Sequence, residues 1–88
     1  LDTGARSCAV SGEPVKLQPR EYELLCCLMR NRGRVLSREQ LLDRVWGLDF
    51  EGGDRAVDVR IRSLRSALGE AGEQIKTVFK SGYRLEEV

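Results

Sequence analysis

Residues 55–68 read RAVDVRIRSLRSAL, a pattern that predicts an amphipathic helix. Its apolar residues recur at i, i+4, i+7 and i+11 and form one narrow stripe: Val57, Ile61, Leu64 and Leu68. At about 100° per residue, the opposite face carries Arg55, Val59, Arg62, Ser63 and Ser66, with Arg60 and Arg65 at its flanks. Arginines with hydroxyls and a valine methyl among them suit the major groove of DNA. The alternative is a solvated charged face, in which Asp58 and Arg62 form an ordinary i, i+4 pair.

Two helices are expected before this one. Ser37 and Gln40 form a capping box, and Leu36 with Leu41 forms a hydrophobic staple, so a helix begins here. Its apolar face predicts core positions for Leu41, Leu42, Val45 and Trp46, and Gly47 ends it. An earlier helix opens at Pro19 and closes near Gly33, which suits the left-handed C′ position.

Both ends of the chain predict β-hairpins. Residues 5–10 and 13–17 are short segments on either side of the turn signal Ser11-Gly12. Residues 75–80 alternate in polarity, and the turn Ser81-Gly82 leads to a return strand over residues 83–85. The second hairpin carries three cations beside the basic helix: Lys76, Lys80 and Arg84.

The net charge of +1 conceals two opposite blocks in this 88-residue chain. Residues 35–54 hold two basic and five acidic side chains, whereas residues 55–85 hold seven and three. Local fields depend on patches rather than on totals, so the basic block is a candidate surface for a duplex. The length suits one domain, and 41% apolar with 33% charged residues fits a folded globular chain.

Several function classes are disfavoured. Histidine is absent, which removes the commonest general base and metal ligand. No nucleophile elbow, phosphate-cradling glycine loop or metal-ligand spacing is present, so we expect no enzyme, metal or cofactor. The longest apolar run, residues 24–29, is too short to span a membrane. Cys8, Cys26 and Cys27 predict reduced thiols in a cytoplasmic protein. The chain begins without methionine and is expected to be a fragment.

Four motifs in this order resemble the OmpR/PhoB-type winged-helix domain, the C-terminal output domain of bacterial two-component response regulators. They are the first helix at 19–25, the second at 37–46, the recognition helix at 55–65, and the wing at 77–78 with 82–85. The resemblance implies an α+β winged helix-turn-helix domain over residues 1–88. Its three-helix core would carry a small N-terminal antiparallel sheet, with the first strand cut short, and a C-terminal β-hairpin wing.

The resemblance also implies site residues. The base-reading positions fall on Asp58, Val59, Arg62 and Ser63. DNA-backbone positions fall on Arg55, Arg60, Arg65 and Thr77, to which the basic hairpin adds Lys76, Lys80 and Arg84. Two wing positions depart from the family pattern. Phe79 stands where arginine is frequent and Lys80 where glycine is usual, and Lys80 is expected to supply the wing's charge.

The implied function is transcription control through double-stranded DNA, with helix 55–68 in the major groove and wing 75–85 near the minor groove. The receiver domain on which a sensor kinase acts would lie outside this chain. The loop 47–54 matches one that contacts RNA polymerase in the family, which assigns Asp49, Phe50 and Glu51 to that contact. The alternative for this loop is a flexible connector in which Asp54 caps the next helix.

Further expectations concern partners. The isolated domain should be monomeric, should bind tandem DNA half-sites and should not contact a membrane. The competing hypothesis is a winged helix that binds protein through its third helix. Pairing of Arg55, Arg62 and Arg65 with acidic side chains of the same chain would favour that hypothesis.

Overall fold

The computed structural model describes residues 2–4, 7–10, 13–48 and 50–86. Three strands, β1 (Asp2–Gly4), β2 (Ser7–Val10) and β3 (Glu13–Val15), form an antiparallel sheet in that order. The helices are α1 (Pro19–Arg30), α2 (Arg38–Leu41) and α3 (Arg55–Leu68). A hairpin of β4 (Ile75–Val78) and β5 (Gly82–Leu85) follows. This is the α+β winged helix-turn-helix arrangement that the sequence predicts.

The N-terminal sheet contains the predicted hairpin and one strand more. Strands β2 and β3 pair antiparallel, with Cys8 opposite Val15 and Val10 opposite Glu13. Strand β1 is a short first strand that pairs with the other edge of β2, and the sequence patterns did not locate it at residues 2–4. The predicted turn Ser11-Gly12 lies outside the described residues.

The core forms where the three helices and the C-terminal hairpin meet. The four stripe residues of α3 are all buried: Val57, Ile61, Leu64 and Leu68. They belong to one apolar cluster with Leu24, Leu25 and Leu28 of α1, Leu41 and Val45 of the second helical segment, and Ile75, Tyr83 and Leu85 of the hairpin. Because this stripe faces inward, the rotation of α3 is fixed and its opposite face is turned outward.

The start of α2 confirms the predicted capping box. The Gln40 backbone N–H donates to Ser37 Oγ at 3.1 Å, and the Ser37 N–H donates to Gln40 Oε1 at 2.9 Å. Beyond Leu41 the segment continues as a π-helical turn, Leu42–Trp46, instead of the regular helix expected. The Gly47 N–H reaches back five residues to the Leu42 carbonyl at 3.1 Å, and Gly47 leaves the helix with a φ of 96°.

Replacement of Ser37 by alanine should destabilise the fold by about 1 kcal/mol, because it removes the hydroxyl that accepts the Gln40 N–H. Urea denaturation of the 88-residue chain measures this change. Ser66→Ala is the matched control: this exposed serine lies inside α3, where alanine is the better helix former. Equal unfolding midpoints for Ser37→Ala and the wild type would contradict the prediction.

Three local expectations need correction. Asp54 occupies the position before α3, but its side chain makes no capping hydrogen bond and lies 3.9 Å from Arg38 Nη1 instead. Gly33 is left-handed, with a φ of 78°, but lies one residue beyond the C′ position because α1 ends at Arg30. The wing turn begins at Phe79 rather than at Ser81, since Val78 already pairs with Gly82.

The wing is attached to the helical core along β5. The Leu36 and Tyr83 backbones exchange two hydrogen bonds of 2.9 Å, and the Gly33 N–H donates to the Leu85 carbonyl at 2.9 Å. Strand β5 is therefore paired on both sides, with β4 on one and the segment before α2 on the other. This pairing fixes the wing relative to the start of α2.

Candidate nucleic-acid interface

The outward face of α3 carries free cations around an apolar centre. Val59 is 63% exposed, and Arg55 and Arg62 are exposed on the same side of the helix. Arg60 is half-buried at the flank. Within the described part of the chain, these three guanidinium groups make no hydrogen bond or ion pair. The face thus keeps its donors available for an external acceptor such as phosphate or a guanine edge.

Two other predicted base-reading residues are engaged within the chain. The Ser63 hydroxyl donates to the Arg60 carbonyl at 3.2 Å. Asp58 Oδ1 accepts a hydrogen bond from the Tyr83 hydroxyl at 2.5 Å and forms an ion pair with Arg38, whose Nε lies 3.1 Å away. One carboxylate oxygen of Asp58 therefore binds groups from β5 and α2, and joins both elements to α3.

Burial raises the pKa of Tyr83 above its ordinary value, and the hydrogen bond to Asp58 and the charge of that carboxylate raise the pKa further. The direction follows from the cost of placing a phenolate in a poorly solvated site beside a carboxylate. Tyr83 consequently stays protonated near neutral pH and acts as the donor to Asp58. The Tyr83–Asp58 contact holds the wing against α3 in that pH range.

Arg65 links α3 to the first strand of the wing. Its Nε and Nη2 both donate to the Ile75 carbonyl, at 3.1 and 2.8 Å, and Nη2 also donates to Thr77 Oγ1 at 2.8 Å. Its guanidinium carbon lies 5.7 Å from the centre of the Tyr83 ring, a cation–π distance. These contacts assign Arg65 a positioning role. They also bring Arg65 together with Thr77, another residue predicted to contact the DNA backbone.

The cations of the wing divide into free and paired groups. Lys76 and Lys80 are exposed, and neither forms an ion pair among the described residues. Arg84 is half-buried and pairs through Nη2 with Glu86. Lys76 and Lys80 are therefore better placed to meet a phosphate than Arg84 is.

Arg38 is a cation of this surface that the sequence analysis did not single out. It lies in the first turn of α2, its side chain is half exposed, and it contacts Asp58 of α3. The capping box that starts at Ser37 fixed its place at the helix start. Its proximity to α3 depends on a contact between residues twenty positions apart, which periodicity does not reveal.

The loop after the second helical segment contains a small aromatic cluster. The rings of Trp46 and Phe50 are tilted by 41° with centroids 6.1 Å apart, and the Arg20 guanidinium lies 6.0 Å from the Trp46 ring. Trp46 packs on the core as predicted, but only partly buried. Phe50 remains 38% exposed and Glu51 is exposed, whereas Asp49 lies outside the described residues.

Other kinds of site find little support. In the described ranges no helix is long and apolar enough to cross a membrane. In the same ranges no three side chains of the metal-binding types come together. Cys27 is buried in the core and Cys26 is half-buried, and both are free thiols, as predicted for these two residues.

The α+β winged-helix fold and the basic outward face of α3 are typical of one class of protein, the DNA-binding domains of transcription regulators. The family model described as "Transcriptional regulatory protein, C terminal" matches residues 12–85. The chain therefore belongs to this family, the C-terminal DNA-binding domains of OmpR/PhoB-type response regulators, which is not an enzyme family.

Individual relatives agree with this assignment. The chain is 44% identical over 89 aligned positions to the sensory transduction protein RegX3 of Mycolicibacterium smegmatis. The alignment covers 98% of this chain and 39% of that protein. It is 44% identical over 86 residues to the phosphate regulon regulator PhoB of Pseudomonas aeruginosa, with coverage of 97% and 38%. The chain thus spans about two fifths of the length of these relatives.

Solved structures share the fold. The DNA-binding domain of Klebsiella pneumoniae RstA, determined in complex with the RstA box, superposes with a TM-score of 0.79. It is 35% identical, and the match covers 91% of this chain and 82% of that domain.

Proposed function

We propose that this chain binds double-stranded DNA sequence-specifically, with α3 in the major groove and the β4–β5 wing near the minor groove. The observation that carries the proposal is the outward face of α3, where Arg55, Arg60 and Arg62 surround exposed Val59 and make no hydrogen bond or ion pair with the described residues. The RstA domain was determined on its DNA box with the same fold, which supports this role.

A fixed distance between α3 and the wing supports two simultaneous contacts on one duplex. Arg65 joins α3 to β4, and the Tyr83–Asp58 hydrogen bond joins β5 to α3. Such a pre-ordered pair of contacts avoids the entropy loss of arranging a mobile wing during binding.

The structure does not show the arginine pairing that would favour the competing protein-binding hypothesis. None of the three arginines named for it, Arg55, Arg62 and Arg65, pairs with an acidic side chain in the described residues. Arg65 binds a carbonyl and a hydroxyl instead. Free guanidinium groups on α3 favour a polyanion.

The relatives support a wider role. We propose that the chain is the output part of a bacterial, cytoplasmic response regulator, whose receiver domain is modified by a sensor kinase. The isolated domain would act as a monomer on tandem half-sites. The loop of Phe50 and Glu51 would approach RNA polymerase, because its aromatic ring is partly exposed beside acidic side chains.

Salt dependence tests the proposal directly. If about four or five phosphates are neutralised, the logarithm of the binding constant plotted against the logarithm of the salt concentration should have a slope of about −4 on B-DNA. A site selected from random duplexes is titrated with the 88-residue chain between about 50 and about 200 mM salt. A slope near zero on every duplex would contradict DNA binding.

A matched pair of variants locates the cations responsible. Lys76→Ala removes an exposed wing cation and should reduce the slope by about one. Arg30→Ala removes an exposed cation in the last turn of α1, outside α3 and the wing, and should leave the slope unchanged. Equal changes in both variants would show non-specific attraction instead of a defined surface.

A further inference from the structure

The tip of the wing presents a large apolar ring to solvent. Residues 79–81 form the loop between Val78 and Gly82, and Phe79 is 84% exposed. Lys80, the next residue, adopts a left-handed φ of 61°, the only positive φ at a non-glycine position among the described residues. Its Nζ lies 5.6 Å from the centre of the Phe79 ring.

The hairpin that carries Phe79 is anchored to the rest of the domain. Strand β5 is bonded to Leu36 on one side, and β4 is bonded to Arg65 of α3. A Ser81 N–H to Val78 carbonyl bond of 2.9 Å closes the loop itself. The backbone at the tip therefore keeps a fixed place relative to α3.

The charge around the tip favours a polyanion over an apolar protein partner. Lys80 adjoins the ring, and Lys76 is exposed on the same hairpin without an ion pair in the described residues. Glu39 and Asp54 also line the cleft beside the wing, together with Arg38, which lies 3.9 Å from Asp54 and partly compensates its charge. An apolar ring flanked by cations matches the base steps and phosphates of a duplex groove.

We propose that Phe79 is an apolar wedge that contacts the minor groove next to the site occupied by α3, while Lys80 meets the adjacent phosphate. The inference rests on the proposed function. A phenyl ring makes no hydrogen bond to base edges, so it detects how easily a base step opens. Apolar wedges unstack base steps and bend the duplex, and pyrimidine–purine steps yield most easily. The wing would therefore select a deformable step.

Three variants separate the apolar contact from the ionic one. Phe79→Ala should weaken binding to the selected duplex about tenfold or more with an unchanged salt slope, because it removes buried apolar area and no charge. Phe79→Leu retains apolar bulk and should stay within about threefold of the wild type. Lys80→Ala, the adjacent control, should reduce the slope by about one. Unfolding midpoints should agree for both Phe79 variants, since the ring is exposed.

A second duplex tests the deformable step. Placing a stiff A-tract where the wing lies should weaken the wild type several-fold relative to a TA step, and should not affect Phe79→Ala. The inference is overturned if Phe79→Ala binds within about twofold of the wild type, or if Phe79→Leu loses as much as Phe79→Ala. In either case continued binding by the wild type leaves the proposed function intact. Absence of binding to any duplex by the wild type would instead refute the proposed function.

Discussion

Gly82→Ala should destabilise the domain by about 3 kcal/mol or more, because two independent penalties meet at this residue. Gly82 has a φ of 137°, a conformation that residues with a Cβ rarely adopt. A Cβ placed there would lie 2.0 Å from the Leu36 carbonyl oxygen and 2.8 Å from the Ser37 Cα. Both neighbours are backbone atoms, so no side-chain rotation relieves the overlap.

Relief of this overlap would have to separate β5 from the segment before α2. That movement breaks the paired hydrogen bonds between Leu36 and Tyr83 and disturbs the cap at Ser37. The expected result is a lower unfolding midpoint in urea, accompanied by weaker DNA binding because the wing is displaced.

Gly33→Ala is the matched control for this experiment. Gly33 also has a positive φ, of 78°, but a Cβ there would meet no atom within 4 Å. Its substitution should therefore cost only the conformational strain, about 1 kcal/mol. Equal destabilisation by the two variants would contradict the close approach between Gly82 and Leu36.

The fold was predictable because its main features are local in sequence. The α3 stripe at i, i+4, i+7 and i+11 is buried as expected. The capping box from Ser37 to Gln40 forms with both hydrogen bonds. The π-helical turn after Leu41 was missed, since nothing in the local apolar spacing distinguishes it from a regular helix.

The candidate site was predictable only in part. The outward face of α3 follows from helical periodicity alone, and exposed Val59 and Arg62 lie on it. The partners of Asp58 and Arg65 depend on contacts between residues 25 and 10 to 12 positions apart. Such pairs arise from the packing of the wing on α3, so the sequence pattern predicts DNA contacts for both residues and does not reveal their intramolecular partners.

Those intramolecular contacts separate the polar side chains on and around α3 into two sets. One set of side chains forms hydrogen bonds that hold the wing to α3: Arg65, Asp58 and Tyr83. Among the described residues, Arg55, Arg60 and Arg62 form no hydrogen bond or ion pair, so their guanidinium groups are available to an external partner. Tyr83 is buried and Asp58 and Arg65 are half-buried, whereas Arg55 and Arg62 are exposed. Specificity should therefore depend on the exposed arginines of α3.

Arg62→Ala should flatten the sequence preference, whereas Arg60→Ala should weaken binding to all duplexes alike. The two residues point roughly 160° apart around the helix, because two steps of about 100° separate them. Arg62 is exposed near the centre of the outward face beside Val59, and Arg60 is half-buried at its flank. Arg62 is therefore placed to enter the groove and Arg60 to meet the backbone.

The two substitutions should change different properties of binding. A bidentate arginine–base contact supplies about 1–3 kcal/mol of discrimination, whereas a phosphate contact carries no sequence information. Arg62→Ala should thus lose roughly tenfold or more on the selected site and little on a scrambled duplex. Arg60→Ala should lose affinity on both and reduce the salt slope by about one. Binding of each variant to both duplexes at two salt concentrations separates these outcomes. If Arg62→Ala weakens both duplexes equally, Arg62 contacts phosphate, and the groove-facing surface of α3 must instead be centred on Arg60.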